Sequence, residues 1–324
     1  MEDTAIGAKK FRDQGAVLLA QSDGCSVWQF RNETGDGTMT AYEVFPGAML
    51  SFNDFHMEYY ESSYVADRRL LAIDHCREGR MEYAADDNRI AYTAAGDMKL
   101  DLRRAHTSTF VFPSCHYHGL TVVLDLDVVR KSLPEEIRDF PASPEKMVER
   151  WQLGRYPRVV HGAEQMEHVF GEMYRVPETI RIPFFKIKIL ELLLDLYAME
   201  IPQTETERPY FYRSQVEKAK AIKCFLVEHV SENFTQEALS AQFDFPMTQM
   251  KACFRLVYGE AIGTWLTHYR MNLAAEMLLG DRKAGIAEIG CRVGYDNAGK
   301  FTAAFKKMMQ MTPTEYRRER GMNP

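Results

Sequence analysis

A short helix, a tight turn and a second helix occur twice within residues 236–309, and no other feature limits the fold of this 324-residue chain so strongly. The spacing of apolar residues predicts the first pair over residues 236–243 and 247–258, and the second over 286–292 and 298–309. Asp244-Phe245-Pro246 supplies the turn in one pair, and Gly294-Tyr295-Asp296 supplies it in the other. Each second helix carries an apolar i, i+4 pair, Met250 with Phe254 and Phe301 with Phe305, which seats it on its partner. A long helix over 262–279, closed by Gly280, joins the two pairs. Before them, Ser214-Gln215-Val216-Glu217 reads as a capping box opening a helix to residue 230. After them, Thr312-Pro313-Thr314-Glu315 opens a last helix to residue 320, with proline at its first position. Residues 214–324 are therefore expected to be all-α, with two helix-turn-helix units.

Helix pairs occur in any bundle, and their polar faces are ordinarily just solvated. A more specific reading rests on which polar residues lie on the second helices. Thr248, Gln249, Lys251 and Arg255 lie on the first, and Asn297, Lys300, Thr302 and Lys306 on the second. Side chains of these types contact phosphates and base edges in a DNA major groove. Charge points the same way: residues 215–324 hold 15 Lys and Arg against 12 Asp and Glu, a net of +3 in a chain whose formal charge is −6. Residues 1–214 thus carry −9, and a basic module on an acidic one suits a polyanionic partner for the former.

The first half reads as strands. Runs rich in β-branched and aromatic residues cover 71–75, 80–83, 90–93, 98–102, 109–113 and 119–126. Arg77-Glu78-Gly79, Asp86-Asp87-Asn88 and Ala95-Gly96-Asp97 stand between them as turn formers. Many short strands at this spacing predict an antiparallel sandwich or barrel. Helical periodicity follows over 161–174 and over the leucine-rich stretch 183–199. The fold class expected is α+β, with residues 1–200 as one domain, 201–213 as a proline-bearing linker and 214–324 as the second domain.

Composition removes other classes. With 46% hydrophobic and 27% charged residues the chain is neither fibrous nor wholly disordered. The N-terminus lacks a basic start followed by an apolar stretch, and the run 187–199 is interrupted by charge and too short to span a bilayer, so a cytoplasmic protein with no membrane partner is expected. Six scattered cysteines without CxxC spacing fit reduced thiols.

The stretch Ile286-Ala-Glu-Ile-Gly-Cys-Arg-Val-Gly-Tyr295, then Phe301-Thr-Ala-Ala-Phe305-Lys306 and Thr312-Pro313-Thr-Glu-Tyr316-Arg317, resembles the signature of the AraC/XylS family. Leu239-Ser-Ala, Met250-Lys-Ala-Cys-Phe254, Tyr258-Gly259 and Arg270-Met-Asn-Leu-Ala274 match the first half of the same domain. The resemblance covers about the last third of the chain. It implies a sequence-specific bacterial transcription regulator that places two recognition helices in successive major grooves of an operator, with RNA polymerase a candidate partner. It also implies a cupin-like N-terminal barrel followed by helices. Phe52-Asn-Asp-Phe-His56, Asp74-His-Cys-Arg-Glu-Gly-Arg80 and Phe112-Pro-Ser-Cys-His-Tyr-His-Gly119 look most like the subgroup of pyochelin and yersiniabactin regulators. Three positions depart from the family pattern: Gly290 in place of alanine, Gly299 in place of serine and Gln310 in place of glycine. The first two are expected to cost helix stability and to weaken reading by the second unit.

For the N-terminal half, a small-molecule effector is expected inside the barrel, against Phe55, Tyr59, His75, Phe112 and His116. Arg77, Arg80, Arg103 and Arg104 are further anchors for an acidic ligand. His116-x-His118 raises a metal-enzyme alternative, with His56, His75 or His106 as a third ligand. No carboxylate follows the pair at facial-triad spacing, so that alternative is set aside: no catalytic residue, no metal and no cofactor is expected. The 183–199 helix is apolar over more of its surface than one barrel contact buries, which predicts a homodimer testable by charge at Leu193 and Leu196.

Overall fold

The computed structural model describes residues 16–320 except 23, 63–64, 106–107, 139, 141 and 202–209. His106 and most of the expected linker lie outside the described residues. Contacts divide the chain into two compact units, Met1–Tyr210 and Phe211–Pro324.

The first unit begins with ten strands: β1 (Val17–Ser22), β2 (Cys25–Asn32), β3 (Gly35–Phe45), β4 (Ala48–His56), β5 (Tyr59–Ser62), β6 (Val65–Ala84), β7 (Arg89–Ala94), β8 (Met98–Ala105), β9 (Ser108–Val111) and β10 (Tyr117–Asp125). Helices α1 (Leu126–Val129), α2 (Glu135–Arg138) and α3 (Pro144–Arg150) follow, then β11 (Arg158–Val160), α4 (Glu164–Met173) and α5 (Arg181–Ala198). Within the main sheet the order is β1-β2-β3-β4-β10-β6-β7; β8 pairs with β6, β11 with β8, and β5 with β9 as a separate ribbon. These pairings are antiparallel.

Two differences from the sequence reading have local causes. The runs named from the sequence begin at residue 71 and omit β1 to β5, although β3 buries Gly37, Met39 and Ala41 in strict alternation. Arg77-Glu78-Gly79 is not a turn. β6 runs unbroken for 20 residues: Gly79 takes φ +83° and pairs with Tyr117, and the register shift against β10 falls at Arg77, between Glu78 and Cys76.

Register decides which side chains share a face. Leu120 lies opposite both Phe52 and His75, so these point toward the helices. Thr121 lies opposite Ser51 and Asp74, so these point to the other face. On the helical side, Phe185, Ile189, Leu192, Leu193 and Leu196 of α5 pack on Leu50, Leu71, Ile73, Leu100, Leu120 and Val122 with no exposed surface. Each such side chain contributes about 2 kcal/mol of burial. Leu193 and Leu196 are core residues, and charge there would test folding rather than association. The apolar surface that α5 leaves uncovered is Ile187, 64% exposed, and Leu194, 42% exposed, seven residues apart on one side.

The opposite face carries a second apolar cluster of Trp28, Phe30, Met39, Phe55, Met57, Phe112 and Tyr117. Beside it lies a buried polar network. Lys99 Nζ is 3.1 Å and Arg103 Nη2 3.2 Å from the Asp74 carboxylate, the Thr121 hydroxyl donates to Asp74 at 2.7 Å, and Asn53 donates to Thr121 at 2.9 Å. Burial alone would raise the Asp74 pKa, but the two cations and the hydroxyl prevail and hold it at about 2.

The second unit is helical: α6 (Arg213–Glu228), α7 (Gln236–Gln242), α8 (Met247–Tyr258), α9 (Ile262–Gly280), α10 (Ile286–Arg292), α11 (Ala298–Met309) and α12 (Pro313–Arg320). The α6 cap differs from the expected Ser214 box: the Gln215 side chain accepts the Tyr212 N–H at 3.1 Å, two residues earlier. No helix among the described residues is long and apolar enough to cross a membrane.

Candidate nucleic-acid interface

In the first helix-turn-helix, Thr235 caps α7 by accepting the Ala238 N–H at 3.1 Å. The turn holds Asp244 at φ +44° and is tied by the Ser240 hydroxyl donating to the Phe245 carbonyl at 2.7 Å. α8 then buries Met250, Cys253, Phe254, Leu256, Val257 and Tyr258. That stripe leaves Thr248, Gln249, Lys251 and Arg255 exposed on the remaining face. Gln249 is steadied by a 3.2 Å hydrogen bond from Gln215 of α6.

The second unit is built alike. The Glu288 carboxylate accepts the Gly285 N–H at 3.3 Å at the start of α10. Gly294 turns the chain at φ +84°, and α11 buries Phe301 and Phe305. Lys300 and Lys306 are exposed and Thr302 is half-buried. Asn297 is engaged differently from a free reader: its Oδ1 accepts the Lys300 N–H at 3.0 Å and caps the helix. That bond commits one lone pair of the oxygen and leaves the amide N–H groups for an outside partner.

The glycines expected to weaken this unit have steric roles. A Cβ at residue 290 would lie 3.1–3.3 Å from Phe301, so Gly290 allows α10 and α11 to approach. A Cβ at residue 299 would lie 3.0 Å from the capping Asn297 Oδ1. Gln310 is the costly departure, since it sits at φ +60° in the left-handed C-cap that favours glycine.

Arg270 of α9 has a role that its place in the sequence does not mark. It is 7% exposed and donates to three acceptors: Val230 O at 2.9 Å, Asn233 Oδ1 at 3.0 Å and Glu232 O at 2.6 Å. Burial lowers its pKa from the ordinary arginine range. A Cβ at residue 294 would lie 2.6 Å from Arg270 Nη2. One guanidinium therefore fixes the loop before the first helix-turn-helix and abuts the turn of the second.

The residues expected to share an effector pocket do not converge. Phe55 stacks on Phe112 at 5.3 Å within the second apolar cluster. His75 faces the helices, stacked on Phe170 at 4.3 Å with Glu167 3.4 Å from Nε2. Burial lowers its pKa, and Glu167 opposes the shift. Tyr59 donates to Glu33, and His116 is half-buried in the turn before β10. Arg103 is paired with Asp74, and Arg77 lies over the Tyr174 ring at 4.5 Å. The expected His116-x-His118 pair is also separated, because β10 begins at Tyr117. His118 packs edge-on to Tyr174 at 5.7 Å, while His116 Nε2 approaches Glu78 at 3.5 Å.

Residues 239–319 match a helix-turn-helix domain family. The chain is 23% identical over 178 residues to the HTH-type transcriptional regulator AlkR of Acinetobacter baylyi, 52% of this chain and 58% of AlkR. It therefore spans little more than half of that relative. It is 24% identical over 216 residues to the HTH-type transcriptional activator RhaS of Salmonella arizonae, 64% of this chain and 74% of RhaS. Among solved structures, the C-terminal domain of AraT, a response regulator from Geobacillus stearothermophilus, is 31% identical over 31% of this chain and 84% of that chain, with a TM-score of 0.30.

Proposed function

Given that the chain is a member of the AraC/XylS family through its helix-turn-helix domain, we propose that it is a sequence-specific DNA-binding transcription regulator of a bacterial cytoplasm. The observation that carries this reading is the pair of exposed polar and basic faces on α8 and α11, each backed by a buried apolar stripe. Helix α9 joins them, with 19 residues that span about 28 Å at 1.5 Å per residue, close to the 34 Å between successive major grooves. Thr248, Gln249, Lys251 and Arg255 would read one groove, and Lys300, Thr302, Lys306 and the Asn297 amide the next.

The domain division of the reading is a cupin-like sensor over 1–200, a linker over 201–213 and the reader over 214–324. The sheet face that carries Phe55 and Phe112 is the better effector candidate, because it combines apolar surface with the polar network around Asp74 and Arg103. Ile187 and Leu194 support a homodimer through α5. The enzyme alternative loses its ligand pair, since His116 and His118 do not share a site.

Selection of bound sequences from random duplex DNA with the full chain tests the reading. Two short blocks one helical turn apart are expected. Replacing Lys251 and Arg255 together by alanine is expected to weaken binding and to reduce the log–log salt slope by about two. A double variant that folds and binds as before would remove α8 from the interface.

A further inference from the structure

Three stretches prominent in the sequence, 52–56, 74–80 and 112–119, meet at one end of the first unit's sheet, and the DNA-reading proposal uses none of them. Asp54 and His56 alternate on β4 and share a face, with His56 Nε2 3.0 Å from Asp54 Oδ1. His116 comes from the turn entering β10, the strand next to β4, and its ring centroid is 5.0 Å from that of His56. One ligating atom from each of Asp54, His56 and His116 lies within 4.8 Å of the other two. From β6, on the other side of β10, Glu78 Oε2 approaches His116 Nε2 at 3.5 Å, and its Oε1 is 3.8 Å from Arg77 Nε.

The backbone fixes this convergence. Cys115 stands at φ +54° and donates its N–H to Phe112 O at 2.9 Å, and the Ser114 hydroxyl donates to His116 O at 3.0 Å. A Cβ at residue 79 would lie 2.0 Å from that same His116 carbonyl, so Gly79 is what lets β6 bring Glu78 alongside.

We propose that Asp54, His56 and His116, with Glu78 as fourth donor, form a surface binding site for a borderline divalent transition metal such as Zn2+. Two imidazoles and carboxylates are the donor set such ions take, with bonds of about 2.0–2.2 Å. Donors around a tetrahedral ion at that bond length stand roughly 3.4 Å apart, so the Asp54–His56 and His116–Glu78 spacings already match and the ion would draw the two halves together. The other group of similar composition, His168, Glu191 and Asp195 on α4 and α5, has Lys188 Nζ 2.7 Å from Glu191. An ammonium at that distance competes with a metal for the carboxylate more closely than Arg77, 3.8 Å from Glu78, does at the proposed site. The proposed site is non-catalytic and independent of the DNA-reading proposal.

The test is titration of the full chain with Zn2+ against a chromophoric chelator, with Co2+ absorption as a second readout of coordination. One ion per chain is expected, with affinity about tenfold or more weaker in Asp54→Asn, His56→Gln, His116→Gln and Glu78→Gln. His118→Ala and His168→Ala are expected to leave it unchanged. Asp54 and His56 are exposed, so their conservative variants preserve the fold, which melting curves verify. Absence of Zn2+ and Co2+ binding, binding unmoved by His56→Gln and His116→Gln, or binding lost with His168→Ala would each overturn the assignment.

Discussion

Replacing Arg270 by alanine separates a structural fastener from a phosphate contact. The wild-type guanidinium makes three hydrogen bonds, to Val230 O, Asn233 Oδ1 and Glu232 O. Deleting an intramolecular hydrogen bond costs about 1 kcal/mol net, and more where the donor is charged. Burial of the guanidinium, visible in its lowered pKa, works against it and is recovered on deletion. The acceptors belong to residues that are half-buried or exposed, so water replaces part of what is lost. The balance is about 3 kcal/mol for the second unit, which for a domain of this size is a fall in Tm of roughly 10–20 °C. Differential scanning calorimetry of the full chain measures it, as a shift in the transition assigned to residues 211–324. Operator binding below that transition should keep its salt slope, because no phosphate contact has been removed. An unchanged Tm together with a slope smaller by about one would show that Arg270 faces DNA, and would refute the reasoning.

Gln310→Gly, which relieves a left-handed C-cap at φ +60°, is expected to stabilise the second unit by about 1 kcal/mol, read by denaturant midpoint; destabilisation would contradict it. The Asp74 pKa is lowered on folding, from 3.8 to about 2, so its contribution is present above pH 4 and is lost as pH falls from about 4 to 2. That loss is on the order of 2 kcal/mol, and an acid titration by circular dichroism should show it in wild type and not in Asp74→Asn. The same variant should be less stable at neutral pH by about 3 kcal/mol, because buried Lys99 and Arg103 lose the Asp74 carboxylate and Arg103 is left with Asp101 at 4.0 Å. Ile187→Glu with Leu194→Glu should leave the melting temperature unchanged and convert dimers to monomers in sedimentation; a wild-type monomer bound to operator would refute the α5 interface.

The helix-turn-helix units were legible because their signals are local. Caps such as Thr235, turns such as Gly294, and the pairs Met250–Phe254 and Phe301–Phe305 all act within a few residues, and the observed helices start and stop within two residues of those expected. The first unit was less legible because its outcomes depend on distant partners. Gly79 supports a turn or a bulge equally well from its own neighbours, and the choice is made by the His116 carbonyl, 37 positions away, against which a Cβ would stand at 2.0 Å. Leu193 and Ile187 look alike in a helical stripe, yet one has no exposed surface and the other is 64% exposed, because the sheet covers only part of α5. The same dependence reverses the meaning of a residue even inside the legible unit. Judged by helix propensity alone, Gly290 and Gly299 are losses of up to about 1 kcal/mol each. Set beside Phe301 at 3.1 Å and the Asn297 capping oxygen at 3.0 Å, they relieve close contacts between α10 and α11 and at the α11 cap. Propensity is a property of one position, whereas the presentation of Lys300 and Lys306 depends on how α10 seats on α11, so the net effect of the two glycines on the second reader is set by how far Phe301 and Asn297 can yield.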